Sequence, residues 1–190
     1  MLKEIFKLFL KASYVKYGKN FKLNGIPCII RRNGTIEIGE NVTINSSFLS
    51  NLTGINHRTI IVTRLPESRI VIGNNVGISG ATIYARSSIV IGNNVLIGSN
   101  VKIIDSDFHP LDIKDRINDN KTKIVDKPII IEDDCFIGLD SIILKGTELG
   151  KGCIVGAGAV VCGKYESGSV IVGNPGKVVK VCSKIEEKEK

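Results

Sequence analysis

At 190 residues the chain has the length of one domain, and it is aliphatic in character: 43% hydrophobic, only 5% aromatic and without tryptophan. A formal net charge of +7 suits an anionic ligand or surface, but no aromatic and basic alternation and no finger or helix-turn-helix signature is present, which excludes the common nucleic-acid modules. Five cysteines, Cys28, Cys135, Cys153, Cys162 and Cys182, are an odd set with no C-x-x-C pair, which argues against a zinc knuckle or disulfide framework and for a reducing compartment.

The first stretch, Met1 to Lys19, reads as an amphipathic helix, with Leu2, Ile5, Phe6, Phe9 and Leu10 on one side and Lys3, Lys7 and Lys11 away from it. Lysines interrupt the apolar run every fourth residue and no small-x-small cleavage site follows, so it is neither a signal peptide nor a membrane span. Two readings stand: a cap, within 1–24, over the open end of a core, or a peripheral anchor through residues 1–19 to an anionic bilayer.

From residue 25 to 163 the chain keeps a beat of six. Ile38 and Ile44 are six apart, as are Ile72 and Ile78, with Tyr84 in the next place. Ile91 arrives one residue late and is followed by Ile97 and Ile103; Ile131, Ile137, Ile143, Leu149, Val155 and Val161 complete the ladder. Neither an α-helix nor an ordinary hairpin repeats at six. Strand side chains alternate between faces, so the compact residues two before the later rungs, Cys135, Ser141, Thr147, Cys153 and Ala159, also point inward. Turn-forming trios separate the rungs: Gly39-Glu40-Asn41, Gly73-Asn74-Asn75, Gly92-Asn93-Asn94 and Glu132-Asp133-Asp134. A unit of six cannot bury its own apolar face and must stack on copies of itself, giving an all-β solenoid in a single domain, 1–190. Three sides of six make a coil of 18, which stacks Cys135 on Cys153 as buried thiols.

The beat fails between Ile103 and Ile131, where 28 residues stand in place of six and about 22 leave the coil as an excursion loop over 104–128. His109 falls six after Ile103, in the place of an aliphatic rung, flanked by Asp105 and Asp107 and locked by Pro110. Histidine is the side chain most readily tuned for proton transfer near neutrality, and a carboxylate on one ring nitrogen fixes its tautomer. The other histidine, His57, lies in a less regular stretch and reads as structural or rim-exposed. Two histidines far apart in register do not assemble a zinc site, so no metal is expected. The late arrival of Ile91 makes the preceding coil 19 residues, which sets Arg86 against Asp105 and predicts that Arg86 pairs with Asp105 or contacts an acceptor near His109. In the C-terminal segment, 164–190, Lys177 to Ile185 is expected as a short helix before a frayed charged tail.

The six-residue repeat, Asp-Phe-His-Pro at 107–110, Phe136-Ile137-Gly138, Gly156-Ala157-Gly158-Ala159-Val160-Val161 and Gly173-Asn174-Pro175-Gly176-Lys177-Val178-Val179 together resemble the hexapeptide-repeat acyltransferases. The nearest types are the maltose and galactoside acetyltransferases and the capsule, colanic-acid and nodulation-type sugar O-acetyltransferases. The likeness covers about residues 70 to 180. It implies a left-handed parallel β-helix of triangular section, a homotrimer, and acetyl-CoA lying in a groove between neighbouring subunits. Carried over by position, it implies His109 as general base, with Asp105 and Asp107 beside it, and the backbone amide of Leu139 as oxyanion contact. Phe136, Gly138, Gly156, Ala157, Cys162, Gly163 and Lys164 would line the cofactor. Asn174, Pro175, Lys177 and Lys180 would approach its far end, the lysines meeting the phosphates. Acceptor-binding residues do not carry over from the family; Tyr84 and Arg86 are expected to face the acceptor from their own place in the coil beside the loop. Relatives commonly carry tryptophan at Phe136, serine or alanine at Leu139 and Thr-Lys at Cys162-Gly163, so the leucine narrows the acyl pocket while its N–H is unaffected.

The resemblance implies acetyl-CoA-dependent O-acetylation of a sugar hydroxyl, in surface polysaccharide or glycan synthesis, in the cytoplasm or peripheral to the inner face of the membrane. N-acetylation of an amino sugar, or acetylation of a small xenobiotic or amino acid, shares the fold and base but not the acceptor. A non-catalytic β-helical scaffold is the reading from another class.

Overall fold

The structure, a computed structural model, describes residues 2–182. Strands fall into three sheets that the chain visits in rotation, first, second, third and first again, so sheet neighbours are three strands apart in sequence. Every strand pairing along the coils is parallel; among the described residues the antiparallel pairings are that of Lys177–Val181 on Ser169–Val172 and an isolated bridge between Ser106 and Asp126. The result is a parallel β-helix of triangular section. We name its corners in chain order: first between the first and second sheets, second between the second and third, third between the third and first.

The rungs make the core. Ile131, Ile137, Ile143, Leu149, Val155 and Val161 are all 0% exposed, and Cys135, Ser141, Thr147, Cys153 and Ala159 are buried between them at the corners. Hydroxyls in such a core need acceptors: Ser141 donates to the Gly138 carbonyl at 2.8 Å and Thr147 to the Leu144 carbonyl at 2.6 Å. The first corner needs a left-handed residue on each coil, supplied by Asn20, Asn41, Asn75, Asn94 and Asp134. Their side chains also hydrogen-bond in a ladder down that edge at 2.9–3.0 Å. The third-corner loop shifts the register from 18 to 40 residues, with Ile91 beside Ile131 and Ile131 beside Leu149.

Four sequence expectations change. Tyr84 is not a rung: in the strand Thr82–Ala85 the buried residues are Ile83 and Ala85, and Tyr84 faces outward. The second corner of that coil is a tight turn through Gly80 (φ 54°), closed by Ile55 so that a Cβ on Gly80 would meet Ile55 Cγ2 at 2.6 Å; the next rung therefore comes after five residues. The N-terminal helix spans Leu2–Ala12 only, and the coil begins at Lys16–Tyr17, paired with Glu37 and Ile38, rather than at residue 25. Leu10 is fully buried and Phe6 packs on the same core, so the helix covers the open end, while Leu2 (67% exposed), Ile5, Leu8 and Phe9 stay outside. No helix among the described residues is long and apolar enough to cross a membrane.

At the other end the coil runs past 163 to Ser169–Val172, and Lys177–Val181 is a strand, not a helix. Its valines, Val178, Val179 and Val181, favour an extended chain, and the strand covers the last edge of the second sheet. The remainder of the expected helix and the charged tail lie outside the described residues. Finally, the chain leaves the coil twice. A second excursion between Thr43–Asn45 and Ile60–Thr63 carries the short 3-10 helix Phe48–Ser50 and was not foreseen.

Candidate active site

The third-corner loop is zipped at its base. Ser106 and Asp126 form an antiparallel bridge, the Lys127 N–H donates to the Asp105 carbonyl at 2.9 Å, and the Asp107 N–H donates to the Val125 carbonyl at 3.2 Å. Asp105, 0% exposed, accepts the backbone N–H groups of Arg86 and Ser87, both at 2.8 Å. Burial raises its carboxyl above the ordinary carboxylate range, against the lowering effect of those amides. The guanidinium of Arg86 turns instead to Asp126, with Nε 3.1 Å from both oxygens. Arg86 and Asp105 thus meet as the coil arithmetic expected, through the backbone of one and the carboxylate of the other.

Above this base the chain makes a tight turn. Phe108 is left-handed (φ 63°), its N–H donates to Ser106 Oγ at 3.0 Å, and the His109 N–H donates to the Asp107 carbonyl at 2.8 Å. The Phe108 ring packs edge-on against Tyr84, centroids 5.2 Å apart, and Pro110 is buried. These contacts hold the backbone of His109 while leaving its imidazole exposed. The histidine therefore does not replace an inward rung, because the chain has left the coil by Ser106. Nor does either flanking carboxylate hold the ring: Asp105 is taken up by amides, and Asp107 Oδ1 pairs with Lys145 Nζ at 3.0 Å. The other Asp107 oxygen is buried with no hydrogen-bond partner among the described residues.

Leu139 lies elsewhere, at the second corner. Gly98, Gly138 and Gly156 stack there because backbone presses on backbone: a Cβ on Gly98 would stand 2.7 Å from the Leu139 nitrogen, and one on Gly138 would stand 2.6 Å from the Ala157 nitrogen. Around them, the Gly138 N–H bonds the Val155 carbonyl and the Asp140 N–H bonds the Ser99 carbonyl, but the N–H of Leu139 donates to no backbone carbonyl among the described residues. Leu139 and Ala157 are exposed, one coil apart, with Phe136 exposed beside them on the second sheet and Asn174 and Pro175 in the turn below.

The anticipated residues thus form two groups on one chain. Phe136, Gly138, Leu139, Gly156, Ala157, Asn174 and Pro175 follow the second corner, while Tyr84, Arg86, Asp105, Asp107, His109, Cys162 and Gly163 follow the third. The strand Ile142–Leu144 separates them, and at about 3.3 Å per residue Leu139 and Lys145 stand at most roughly 20 Å apart. Lys177 and Lys180 are exposed on the last strand of the second sheet. Lys164 belongs to neither group: it lies on the first sheet, 2.8 Å from Glu148, beside a shallow depression of about 370 Å³ that includes Ile130 and Tyr165. It stands on the first sheet directly after Cys162 and Gly163, exposed like Lys177 and Lys180.

Sequence reasoning missed Lys145 and Asp126. Both were within reach of register arithmetic: Asp126 stands 40 residues after Arg86, the step that pairs Ile91 with Ile131, and Lys145 stands 40 after Asp105, the step that pairs Ile103 with Ile143. It also missed the contact of His57 with Lys102, at 2.6 Å, which no repeat signals. Among the described residues, no group of three or more His, Cys, Asp or Glu side chains converges to hold a metal.

Residues 128–162 match the family model described as hexapeptide repeat of succinyl-transferase. The 2,3,4,5-tetrahydropyridine-2,6-dicarboxylate N-acetyltransferase of Staphylococcus aureus (strain JH9) is 46% identical over 63 residues, which are 33% of this chain; the match spans only 26% of that protein's length. Among solved structures, a hexapeptide-repeat-containing acetyltransferase from Vibrio cholerae O1 biovar eltor, complexed with acetyl coenzyme A, is similar at 21% identity and a TM-score of 0.61, over 95% of this chain and 79% of that one. A maltose O-acetyltransferase from Clostridium difficile 630 is similar at 22% identity and a TM-score of 0.56, over 94% and 75%. At such identities the likeness is one of fold, the left-handed parallel β-helix of the hexapeptide-repeat acetyltransferases.

Proposed function

We propose that this chain, which carries the hexapeptide repeat and the fold of the hexapeptide-repeat acetyltransferases, transfers an acetyl group from acetyl-CoA to a hydroxyl of a sugar, in a groove between subunits of a homotrimer. One observation carries the reading: the residues suited to bind a thioester and those suited to take a proton lie on different corners of the same prism, and one chain alone does not bring them together. Two chains side by side, second corner to third, complete the site. The third sheet, which joins those corners, presents Ile60, Tyr84, Ile104, Ile142 and Leu144 on its outer face, with Lys102 at its second-corner side; the apolar part suits a neighbouring subunit and leaves the lysine at the groove.

The chemistry follows from the residues. The exposed imidazole of His109 takes the proton of the acceptor hydroxyl as its oxygen attacks the thioester carbonyl carbon. The Leu139 N–H, which has no backbone partner among the described residues, stabilises the oxyanion that forms. Collapse breaks the carbon–sulfur bond, and the imidazolium returns its proton to the departing thiolate, so no acyl-enzyme is needed. Gly156 and Ala157 let the pantetheine lie close to the backbone, and the exposed Lys177 and Lys180 suit the phosphates. Asp105 and Asp107 act as positioning residues through the loop. The free thiols Cys135 and Cys153 and the CoA substrate suit the cytoplasm.

The relative at 46% identity is an N-acetyltransferase, which favours an amine acceptor as the second reading. Thiol release from acetyl-CoA against a panel of sugars, amino sugars and small amines separates the two. His109→Ala is expected to lower kcat about a hundredfold or more with CoA affinity kept, as for loss of a general base. Near-wild-type turnover in that variant overturns the assignment.

A further inference from the structure

His57 sits at the base of the second excursion, and its ring is fixed at both nitrogens. Nδ1 lies 2.7 Å from the Arg58 carbonyl oxygen, which can only accept, so Nδ1 carries a proton. Nε2 then presents its lone pair to Lys102 Nζ at 2.6 Å, and the pair holds one positive charge. Lys102 is half-buried on the outer face of the third sheet, between Thr82 and Ile142, and burial lowers the pKa of its ammonium, with the Asp140 carboxylate opposing at longer range. Other half-buried lysines are neutralised: Lys145 by Asp107 and Lys7 by Glu4. Lys102 has no carboxylate within 4.0 Å among the described residues; its near partners are a neutral imidazole and, at 3.5 Å, Thr82 Oγ1. A partly desolvated cation held in place by a neutral ring is not a base, because the ring's lone pair is occupied. It is a charge left over for an anion.

The position is specific. The excursion is tied to the second corner by Thr53 to Ser99 at 2.6 Å, by the Asn56 N–H to Asn100 Oδ1 at 2.9 Å and by Asn100 to the Gly54 carbonyl at 2.8 Å. Ser99 in turn accepts the Asp140 N–H, one residue from Leu139. His57 and Lys102 therefore stand one coil above the free Leu139 amide, on the side away from Ala157 and Pro175, where the cofactor would run. We propose that His57 and Lys102 form an anion-binding point for a carboxylate or phosphate of the acceptor. Only the word acceptor rests on the acyl-transfer reading; anion binding stands apart from it.

The test uses the full chain and its two histidines, whose imidazole ¹⁵N resonances are assigned with a His109→Gln variant. Inorganic phosphate and succinate are titrated at constant ionic strength, which removes general screening. The His57 resonances are expected to move saturably while those of His109 stay, and Lys102→Met is expected to weaken binding at least about tenfold, with Lys102→Arg retaining it. Unmoved His57 resonances, or equal binding by Lys102→Met, overturn the site. Which of the two probes binds tighter tells phosphate from carboxylate. In turnover, Lys102→Met is expected to raise the acceptor KM with kcat kept; an unchanged KM alongside lost phosphate binding overturns the assignment to the acceptor while leaving the acyl-transfer reading intact.

Discussion

Gly98→Ala reaches the proposed oxyanion donor without touching any side chain of the site. The new Cβ would stand 2.7 Å from the Leu139 nitrogen, 2.9 Å from the Ile137 oxygen and 3.0 Å from the Leu139 Cα, all backbone atoms. Ordinary contact begins at about 3.5 Å, so the corner must give by roughly 0.5–0.8 Å. Overpacking of this size costs about 1–3 kcal/mol, which for a chain of this length lowers Tm by about 2–4 °C per kcal/mol. Losing an oxyanion donor costs about 10²–10³ in kcat, and a misplacement near 1 Å about 10², so a partial shift is expected to lower kcat about 10- to 100-fold. Two neighbours serve as controls. Gly138→Ala meets the Ala157 nitrogen at 2.6 Å and should destabilise as much, yet raise the KM for acetyl-CoA more than it lowers kcat. Gly156→Ala meets chiefly the Val172 side chain, which can move, and should change kcat little. The assay is steady-state thiol release alongside thermal melting. Equal kcat losses in Gly98→Ala and Gly138→Ala, or a lowered Tm with kcat within about twofold of wild type in Gly98→Ala, refute the placement of the donor.

Lys145→Met leaves the Asp107 carboxylate, only 20% exposed, without its cation, and is expected to cost about 1–3 kcal/mol and to slow turnover through a loosened loop, read by melting and by kcat. Asp105 titrates above its ordinary range because it is buried, so the native state holds more protons than the unfolded chain between those two values. Stability should then fall as pH rises from about 4 through the raised value, and the Tm of wild type relative to Asp105→Asn should decline over that window; a difference independent of pH contradicts this. Leu10→Ala opens the capped end of the core and should cost about 2–5 kcal/mol, measured by denaturant unfolding, since Leu10 is fully buried.

The ladder was legible because burial is a local matter here. The rungs from Ile131 to Val161 pair coil on coil, Ile131 with Leu149, Ile137 with Val155 and Ile143 with Val161, so a fixed period in the chain is a fixed period in space. Where the period was read too strictly, at Tyr84, a tight corner through Gly80 moved the rung by one residue. The termini were read less well. Hydrophobic periodicity could not say where the helix yields to the coil at Lys16, nor that a valine-rich tail would prefer the open edge of a sheet to a helix.

The sequence by itself determined the repeat, the interruption at the third corner and the place of His109 within it, because each is a departure from, or an instance of, a one-dimensional period. Only the tertiary structure decided what the interruption does with its charges. Asp105 turns inward to two amides, Asp107 pairs with a lysine one coil below, Arg86 pairs with an aspartate at the far end of the loop, and His57 meets Lys102 across 45 residues of chain. Polar partners are chosen by distance and desolvation in three dimensions, and a period in the chain carries neither.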